Sequence, residues 1–271
     1  MRELIIAPGR TEQNYWRDLW RFRELFVFLA WRDLLVRYKQ TAIGVAWALL
    51  KPTLTLLAIV GFRKMTSLTA AEVPDPIFVI AAVLPWMFFS TALGEAANSL
   101  IGNANLISKI YFPRLIIPAG AVVTSLVDFA ITLALLAALM AWYQFLPGWQ
   151  IIVLPLLVVL TFALSVGTGL LLAALNVEYR DFRYIVPFIL QFGIFVSPVF
   201  YNTPANLAGW RLLYALNPLV GIIDAFRWSI CRGTTPLDPM TLAFSVAVTV
   251  SFLALGIWYF RRTEKNFADV I

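Results

Sequence analysis

Three charged side chains lie inside long apolar stretches of this 271-residue sequence: Lys51, Glu95 and Asp128. A charged group inside a bilayer is costly, so it usually faces protein or water and marks a pathway, a proton relay or a structural ion pair. Glu95 lies near the end of its stretch, where exposure at the membrane interface is a sufficient explanation. Asp128 lies in the middle of its stretch, which favours a structural hydrogen bond or an ion pair between subunits over a proton relay.

Several kinds of catalytic chemistry are excluded by residue types that the sequence lacks. It contains no histidine and one cysteine, Cys231, so His-based acid–base chemistry, His metal ligands and Ser-His-Asp triads cannot be built from this chain. No stretch matches G-x-x-x-x-G-K-[ST], so uphill transport would need energy from a partner or an ion gradient. Gradient-driven transporters usually show paired intramembrane carboxylates or inverted repeats. A single central carboxylate and no visible repeat favour an ATPase partner.

The composition predicts a membrane protein. Hydrophobic residues make up 61% of the chain and charged residues 13%, about half the charged fraction of a typical soluble domain. The net charge of +6 is attributed to the excess of basic residues in cytoplasmic loops rather than to nucleic-acid binding.

Apolar runs of about 20 residues, the length of a membrane-spanning helix, set the expected topology. One of them, Leu212–Ile230, is doubtful because it contains Asn217, Pro218, Asp224 and Arg227. Basic residues cluster at both ends of the chain, so both termini are expected in the cytoplasm with an even number of crossings. The expected spans are therefore six: Ala42–Phe62, Ile77–Ala97, Leu115–Trp142, Ile151–Leu175, Tyr184–Tyr201 and Met240–Phe260.

The segments outside these spans also carry signals. Residues 1–41 are expected to form a cytoplasmic segment, and residues 15–40 an amphipathic helix at the inner interface that contacts anionic lipid or a cytoplasmic partner. Residues 42–271 then form the membrane domain. In the first span, Lys51-Pro52 indicates either a bent helix that lines a pathway or a shallow start near the headgroups. The short loop NVEYRDFRY (176–184) mixes charges in a way that favours a protein contact over internal ion pairs.

Four stretches, taken in order, resemble one known family. They are GVAWALLKP (44–52), NLISKIYFPRLIIP (105–118), LNVEYRDFRYIVPFILQFGIFVSPVFY (175–201) and the tail RRTEKNFADVI (261–271). With LNP at 216–218, they resemble the permease subunit of ATP-binding-cassette exporters that move polysaccharides of the O-antigen, capsule and teichoic acid class. The likeness covers most of residues 30–271.

This resemblance implies an all-α polytopic protein of the bacterial cytoplasmic (inner) membrane that forms a homodimer with six spans per subunit. It implies two copies of a separate ATPase, which bind ATP and Mg, whereas this chain binds no cofactor or metal. The implied substrate is a lipid-linked polysaccharide. Inner loops are expected to contact the ATPase, and re-entrant helices between spans five and six are expected to form an outer gate. The ATPase-coupling residues would be Asn105, Leu106, Lys109, Phe112, Arg114, Glu178, Tyr179, Arg180 and Asp181, and the gate residues Asn217, Pro218, Asp224 and Arg227.

Sugars present apolar C–H faces and hydroxyl groups, so a glycan pathway should offer aromatic side chains and few fixed charges. Most aromatic residues of membrane proteins pack internally or form interfacial belts, so fewer than half of the candidates are expected to touch substrate. A drug, lipid or haem exporter of the same superfamily, a membrane glycosyltransferase and a passive channel are the alternative functions. The pathway candidates are Lys51, Trp86, Phe88, Phe89, Phe192, Phe195, Phe200 and Tyr201.

Overall fold

The computed structural model describes residues 15–39, 45–66, 73–203 and 214–267. Every regular element within these ranges is helical, because helices satisfy their own backbone hydrogen bonds where a bilayer offers no water. The predicted start of the first span, Ala42, and the motif residue Gly44 lie outside the described residues. The helices are α1 (Tyr15–Arg21), α2 (Arg23–Lys39), α3 (Val45–Met65), α4 (Asp75–Gly102), α5 (Ala104–Lys109), α6 (Ile116–Trp142), α7 (Leu154–Glu178), α8 (Phe182–Val196), α9 (Pro218–Ile230) and α10 (Pro239–Thr263).

Five helices in the described part of the chain are long and apolar enough to cross a membrane: α3, α4, α6, α10, and α7 with its preceding 3-10 turn Trp149–Val153. Each coincides with a predicted span. The predicted span Tyr184–Tyr201 corresponds to α8, which has only 15 residues. At 1.5 Å per residue such a helix is about 22 Å long, less than the roughly 30 Å of a typical hydrocarbon core. The six-span count stays a prediction.

The doubtful run 212–230 contains α9, a helix buried within the protein. Pro218 occupies its first turn, and the Asn217 side chain accepts a hydrogen bond from the Leu219 backbone N–H at 3.1 Å. Asparagine before the first turn and proline at its start are typical of a helix N-terminus. Because α9 packs against α4, α7 and α10, its polar residues are not exposed to lipid, as their types require.

Helix α4 forms the centre of the bundle and contacts α3, α6, α7, α8 and α9. In its most apolar 18-residue window, 78% of the residues are buried, compared with 22% in α3. A helix that is apolar on all sides is expected to be enclosed by other helices. The surrounding helices therefore position every polar group that lines the inside of the bundle.

Helices α7 and α10 approach closely where Gly167 faces Gly256. A Cβ atom on Gly167 would lie 2.5 Å from the Leu253 backbone nitrogen, and one on Gly256 would overlap the Gly167 carbonyl group. Small residues at a crossing let membrane helices pack backbone against backbone.

Replacing Gly256 with alanine should therefore force α7 and α10 apart. We expect the Gly256→Ala protein to lose about 1–3 kcal/mol of stability, the usual cost of overpacking, seen as a lower apparent Tm in detergent. Gly61→Ala is the matched control, because a Cβ atom on Gly61 meets nothing within 4 Å. Equal melting temperatures for the two variants would show that the crossing is not tight.

Candidate functional site

A charged cluster joins α2, α4 and α6 at the predicted cytoplasmic end of the bundle. The Arg37 guanidinium donates to Asp128 Oδ2 at 2.6 Å and lies 2.7 Å from Glu95 Oε1. The Tyr38 hydroxyl donates to the other Asp128 oxygen. Asp128 therefore makes a structural hydrogen bond, as predicted, and its ion-pair partner belongs to the same protomer.

Tyr38 is the neutral member of this cluster. Burial raises the pKa of its hydroxyl well above the usual value, and the hydrogen bond to Asp128 and the charge of that carboxylate raise it further. The hydroxyl therefore stays protonated and remains a donor at neutral pH. The sequence indicated that the charge of Asp128 is costly within a membrane span. It did not indicate that Arg37 and Tyr38, which lie on the predicted interfacial helix, are the partners of Asp128.

The cluster borders a cavity of about 250 Å³ among α2, α3, α4 and α6. Lys51 lines this cavity together with Glu95 and Asp128, and Trp47 and Phe129 supply apolar walls. Lys51 is itself exposed, so the two expectations for it, a pathway-lining helix and a shallow start of the span near the headgroups, stay predictions.

A second, open cavity of about 520 Å³ lies between α3, α4 and α8, and we call it the polar groove. Its hydroxyl and amide groups come mainly from one face of α4, and Lys51, Thr91 and Glu95 line both cavities. Because polar groups at membrane depth are expensive to expose to lipid, this face is suited to a hydrated pathway or a protein contact. The polar groove is lined by Lys51, Trp86, Ser90, Thr91, Gly94, Glu95, Asn98, Leu190 and Gln191.

The aromatic pathway candidates fall into two sets. Trp86, Phe88 and Phe89 are 5%, 2% and 7% exposed, so their bulk fills the core, although the edge of Trp86 also lines the polar groove. Phe192 and Phe195 on α8 are 49% and 62% exposed.

The remaining aromatic candidates, Phe200 and Tyr201, follow α8 and are half-buried. Phe195 stacks on Phe200 with 5.4 Å between ring centroids, and the Tyr201 hydroxyl donates to the Phe195 carbonyl at 3.2 Å. Phe188, which the sequence analysis did not select, lies 4.3 Å from Phe192 between ring centroids. Its position four residues before Phe192 on the same helix face could have indicated it.

At the predicted outer end, two buried arginines lie against one phenylalanine ring. The guanidinium carbons of Arg63 and Arg227 lie 4.6 and 4.3 Å from the centroid of Phe78, and Arg63 is 3.6 Å from Asp75. Arg63 and Lys64 are basic residues at the outer end of the first predicted span, where the inside excess of basic residues predicts few. The burial of Arg63 accounts for one of the two, because a buried cation paired with protein groups is not a loop charge at the membrane surface, whereas Lys64 is exposed.

These arginines hold the chain that follows α8. Arg227 donates to the carbonyl oxygens of Val199 and Tyr201 at 3.1 and 2.8 Å, and Arg63 donates to that of Phe200 at 3.3 Å. Three consecutive carbonyl groups are therefore fixed by two side chains from α3 and α9.

The predicted gate residues contact this same segment. Asp224 accepts from the Thr203 hydroxyl at 2.6 Å, and the Asn217 amide donates to the Ser197 hydroxyl at 3.0 Å. Pro218 begins α9. The structure thus brings the predicted gate residues together around residues 197–203.

The first predicted coupling loop has exposed and buried members. Asn105 and Lys109 on α5 are exposed and Leu106 is half-buried. Phe112 is only 3% exposed, and the Arg114 backbone N–H donates to Glu264 Oε1 at 2.7 Å. Phe112 and Arg114 therefore attach the loop to the chain's carboxyl-terminal region, while α5 provides the accessible surface.

The predicted coupling residues of the second loop, Glu178, Tyr179, Arg180 and Asp181, are all exposed. Glu178 accepts from the Tyr259 hydroxyl at 2.6 Å, whereas Arg180 and Asp181 form no ion pair within the described residues. Tyr179 is 52% exposed, and the neighbouring Tyr184, which was not selected from the sequence, is 82% exposed. The predicted protein contact of this loop stays a prediction.

Apolar helices around internal polar cavities define a multi-pass membrane protein, and comparison identifies its family. A model of the ABC-2 type transporter family matches residues 24–231, from α2 to the end of α9. The chain belongs to the ABC-2 type transporter membrane family, and is a transport subunit.

Individual relatives of the chain show which members of that family it is similar to. The O-antigen export system permease protein RfbA of Myxococcus xanthus is 31% identical over 259 residues, covering 94% of this chain and 98% of the relative. A protein of the same description from Klebsiella pneumoniae is 23% identical, covering 92% and 95% of the two chains. The polysialic acid transport protein KpsM of Escherichia coli is 21% identical, covering 86% and 91%. These matches confirm the resemblance inferred from the motifs.

The charged cluster generates a stability prediction. Asp128→Asn and Arg37→Gln should each lower the apparent Tm, because each leaves a partly buried polar partner without its charged counterpart. The double variant should lose less stability than the two single variants lose in total, with a coupling free energy of about 1 kcal/mol.

The matched control is Arg17→Gln on exposed α1, which should leave the melting temperature unchanged. Strict additivity of the Arg37 and Asp128 substitutions would show that the ion pair contributes nothing to stability.

Proposed function

We propose that this protein is the permease subunit of an ATP-driven exporter that moves a lipid-linked polysaccharide, of the O-antigen, capsule or teichoic acid type, across the cytoplasmic membrane of a bacterium. The observation that carries the proposal is the 31% identity, over nearly the full length of both chains, to an O-antigen export permease. The KpsM relative, named for polysialic acid transport, supports an acidic or neutral glycan over a small drug.

A separate ATP-binding-cassette subunit, in two copies, supplies the energy and holds ATP and Mg. This part of the proposal is supported by the absence of a P-loop from the sequence and by the exposed tyrosines of the loop between α7 and α8. Exposed Tyr179 and Tyr184 resemble the aromatic residues that are enriched at protein interfaces. The loops lie at the cytoplasmic end if both termini are cytoplasmic and six segments cross the membrane, with α8 as the fifth.

The glycan passes along the polar groove, which a second copy of the chain encloses. Exposed apolar residues on α3 and α8, among them Leu54, Leu57 and Phe188, flank the groove on both sides. Two such protomers facing each other would bury Leu54 and Leu57 and leave hydroxyls, amides and the Phe188–Phe192 pair toward the interior. Aromatic faces and hydrogen-bonding groups with few unpaired charges suit a sugar chain better than a charged drug.

At the outer end, residues 197–203 and α9 form the gate. Because Arg63 and Arg227 fix three carbonyl groups there, the gate would move as a unit with α9 rather than as a loose loop. ATPase closure would then shift whole helices, in the manner of rigid-body transport cycles.

The proposed partner can be tested by purification in mild detergent. The protein should retain an ATP-binding-cassette ATPase in near-equal amounts, and lipid-linked glycan should stimulate ATP hydrolysis. Tyr184→Ala should release the ATPase, because it removes the most exposed aromatic side chain of the loop. Tyr143→Ala, an exposed tyrosine at the other end of the bundle, is the control and should retain it. Stimulation by drugs or free phospholipid, but not by lipid-linked glycan, would favour the alternative exporter class.

The proposed pathway is tested by a change of polarity in the groove. Ser90→Leu should reduce glycan export about tenfold or more, because an apolar side chain replaces a hydroxyl that water and sugar can bind. Ser251→Leu makes the same change on an exposed face of α10, outside the groove, and should export normally. Both proteins should assemble with the ATPase, and equal export by the two would place the pathway elsewhere.

A further inference from the structure

A cavity of about 950 Å³ lies at the predicted cytoplasmic end. Its walls come from α1, the segment Tyr111–Arg114, the carboxyl-terminal part of α10 and the 3-10 turn Glu264–Asn266 that follows α10. None of its lining residues lines the polar groove or the Lys51 cavity. The proposed transport function therefore leaves it unassigned.

The α10 wall changes from apolar to basic toward the end of the helix. Ala254, Ile257 and Trp258 are followed by Arg261 and Arg262 on α10, and Lys265 follows in the 3-10 turn Glu264–Asn266. Steps of three or four residues place the α10 side chains on one face, over about 12 Å along the helix axis. An amphiphile with an apolar tail and an anionic headgroup would match this wall, with its tail beside the apolar residues and its headgroup beside the basic residues.

The charged end of the cavity is positive. Four basic side chains and two carboxylates, Asp18 and Glu264, line it. Glu264 already accepts the Arg114 backbone N–H and receives the Arg114 guanidinium through its carbonyl oxygen. The Glu264 carboxylate is thus engaged within the protein, and Arg262 and Lys265 are exposed at the surface of the cavity.

Aromatic contacts orient two of these basic groups. The Arg261 guanidinium lies 4.7 Å from the Tyr15 ring centroid, and Arg262 lies 5.5 Å from that of Trp258. Trp258 is 56% exposed, and tryptophan beside arginine at a helix end is typical of the headgroup level of a membrane. Burial and the neighbouring Glu264 raise the pKa of the Tyr15 hydroxyl, so Tyr15 adds no negative charge.

We propose that this cavity binds an anionic glycerophospholipid of the inner leaflet, with its phosphate at Arg262 and Lys265 and its acyl chains along Ala254–Trp258. Basic pockets beside membrane helices on the cytoplasmic side are suited to such headgroups. An acidic segment of a soluble partner fits less well, because half of the α10 wall lies within the apolar span. The leaflet assignment rests on the orientation given in the proposed function.

The bound lipid would connect three segments that are distant in sequence. It would contact α1, α10 and the segment 111–114, which directly follows α5. Anionic lipid is therefore expected to stabilise the position of α5 and, through it, the response of the ATPase.

The test measures lipid retained by the purified full-length protein with its ATPase. The complex is incorporated into nanodiscs of phosphatidylcholine containing phosphatidylglycerol, released into mild detergent, and examined by native mass spectrometry. The wild-type chain should retain one phosphatidylglycerol per copy. The double variant Arg262→Gln/Lys265→Gln should lower that occupancy about tenfold, and the charge-conserving pair Arg262→Lys/Lys265→Arg should restore most of it.

The matched control, Arg17→Gln/Arg21→Gln, removes the same charge from α1 outside the cavity and should retain the lipid. Equal losses in both double variants would mean diffuse attraction to basic surface, and unchanged occupancy in the cavity variant would mean that no site exists there. Displacement of the lipid when the ATPase binds would assign the cavity to the partner instead. Any of these three results overturns the proposal. Lipid retention is measured on the chain itself, so a complex that retains lipid but exports no glycan would refute only the proposed function.

Discussion

The enclosure of α4 is the constraint on which the rest of the bundle depends. Residues Ile77–Leu84 of this helix are almost completely buried, and five other helices surround it. Since an apolar bilayer gives little hydrophobic drive for helices to associate, close packing and polar contacts must hold them together. The Gly167–Gly256 crossing provides close packing between α7 and α10, and the charged clusters provide polar contacts.

Three arginine clusters attach non-spanning segments to this bundle. Arg37 joins α2 to Asp128, 91 residues away, and Arg63 joins α3 to the carbonyl of Phe200, 137 residues away. Arg114 joins the loop after α5 to Glu264, 150 residues away. The Arg63 tie holds the proposed gate segment, and the Arg114 tie holds the first predicted coupling loop. Guanidinium groups suit this role because one planar fork can bind several acceptors at once.

The sequence predicted the apolar helices well because hydropathy and length are local properties. It also identified 212–230 as unfit for lipid, because Asn217-Pro218 and two charges are visible without tertiary information. It did not reveal that Arg63 is buried, since the partners of Arg63 lie on α4 and beyond α8. The length of α8 was overestimated because Ser197-Pro198 ends the helix while the apolar composition continues to Phe200.

The aromatic candidates also show that the sequence does not reveal which side chains the bundle buries. Phe88 and Phe192 have identical side chains and lie in equally apolar stretches, yet one packs on Phe129 at 5.3 Å and the other is exposed. Composition cannot distinguish them, because the side on which a helix meets its neighbours is a property of the whole bundle. The polar residues of α4 carried a usable signal: Ser90, Thr91, Gly94 and Asn98 recur at helical spacing within a stretch otherwise apolar.

The uneven packing of the bundle indicates which helices can move during transport. Only 22% of the most apolar window of α3 is buried, compared with 78% for α4, so displacing α3 would break fewer contacts inside the protomer, the main ones being those of buried Arg63. Helix α8 contacts only α4 and α7 among the helix pairs with substantial contact. Both helices border the polar groove, whereas α9 contacts α4, α7 and α10 and holds the carbonyl groups of residues 199 and 201 through Arg227. A pathway that opens by separating α3 and α8 would therefore leave the α4–α6–α7–α10 core intact and make the polar face of α4 accessible.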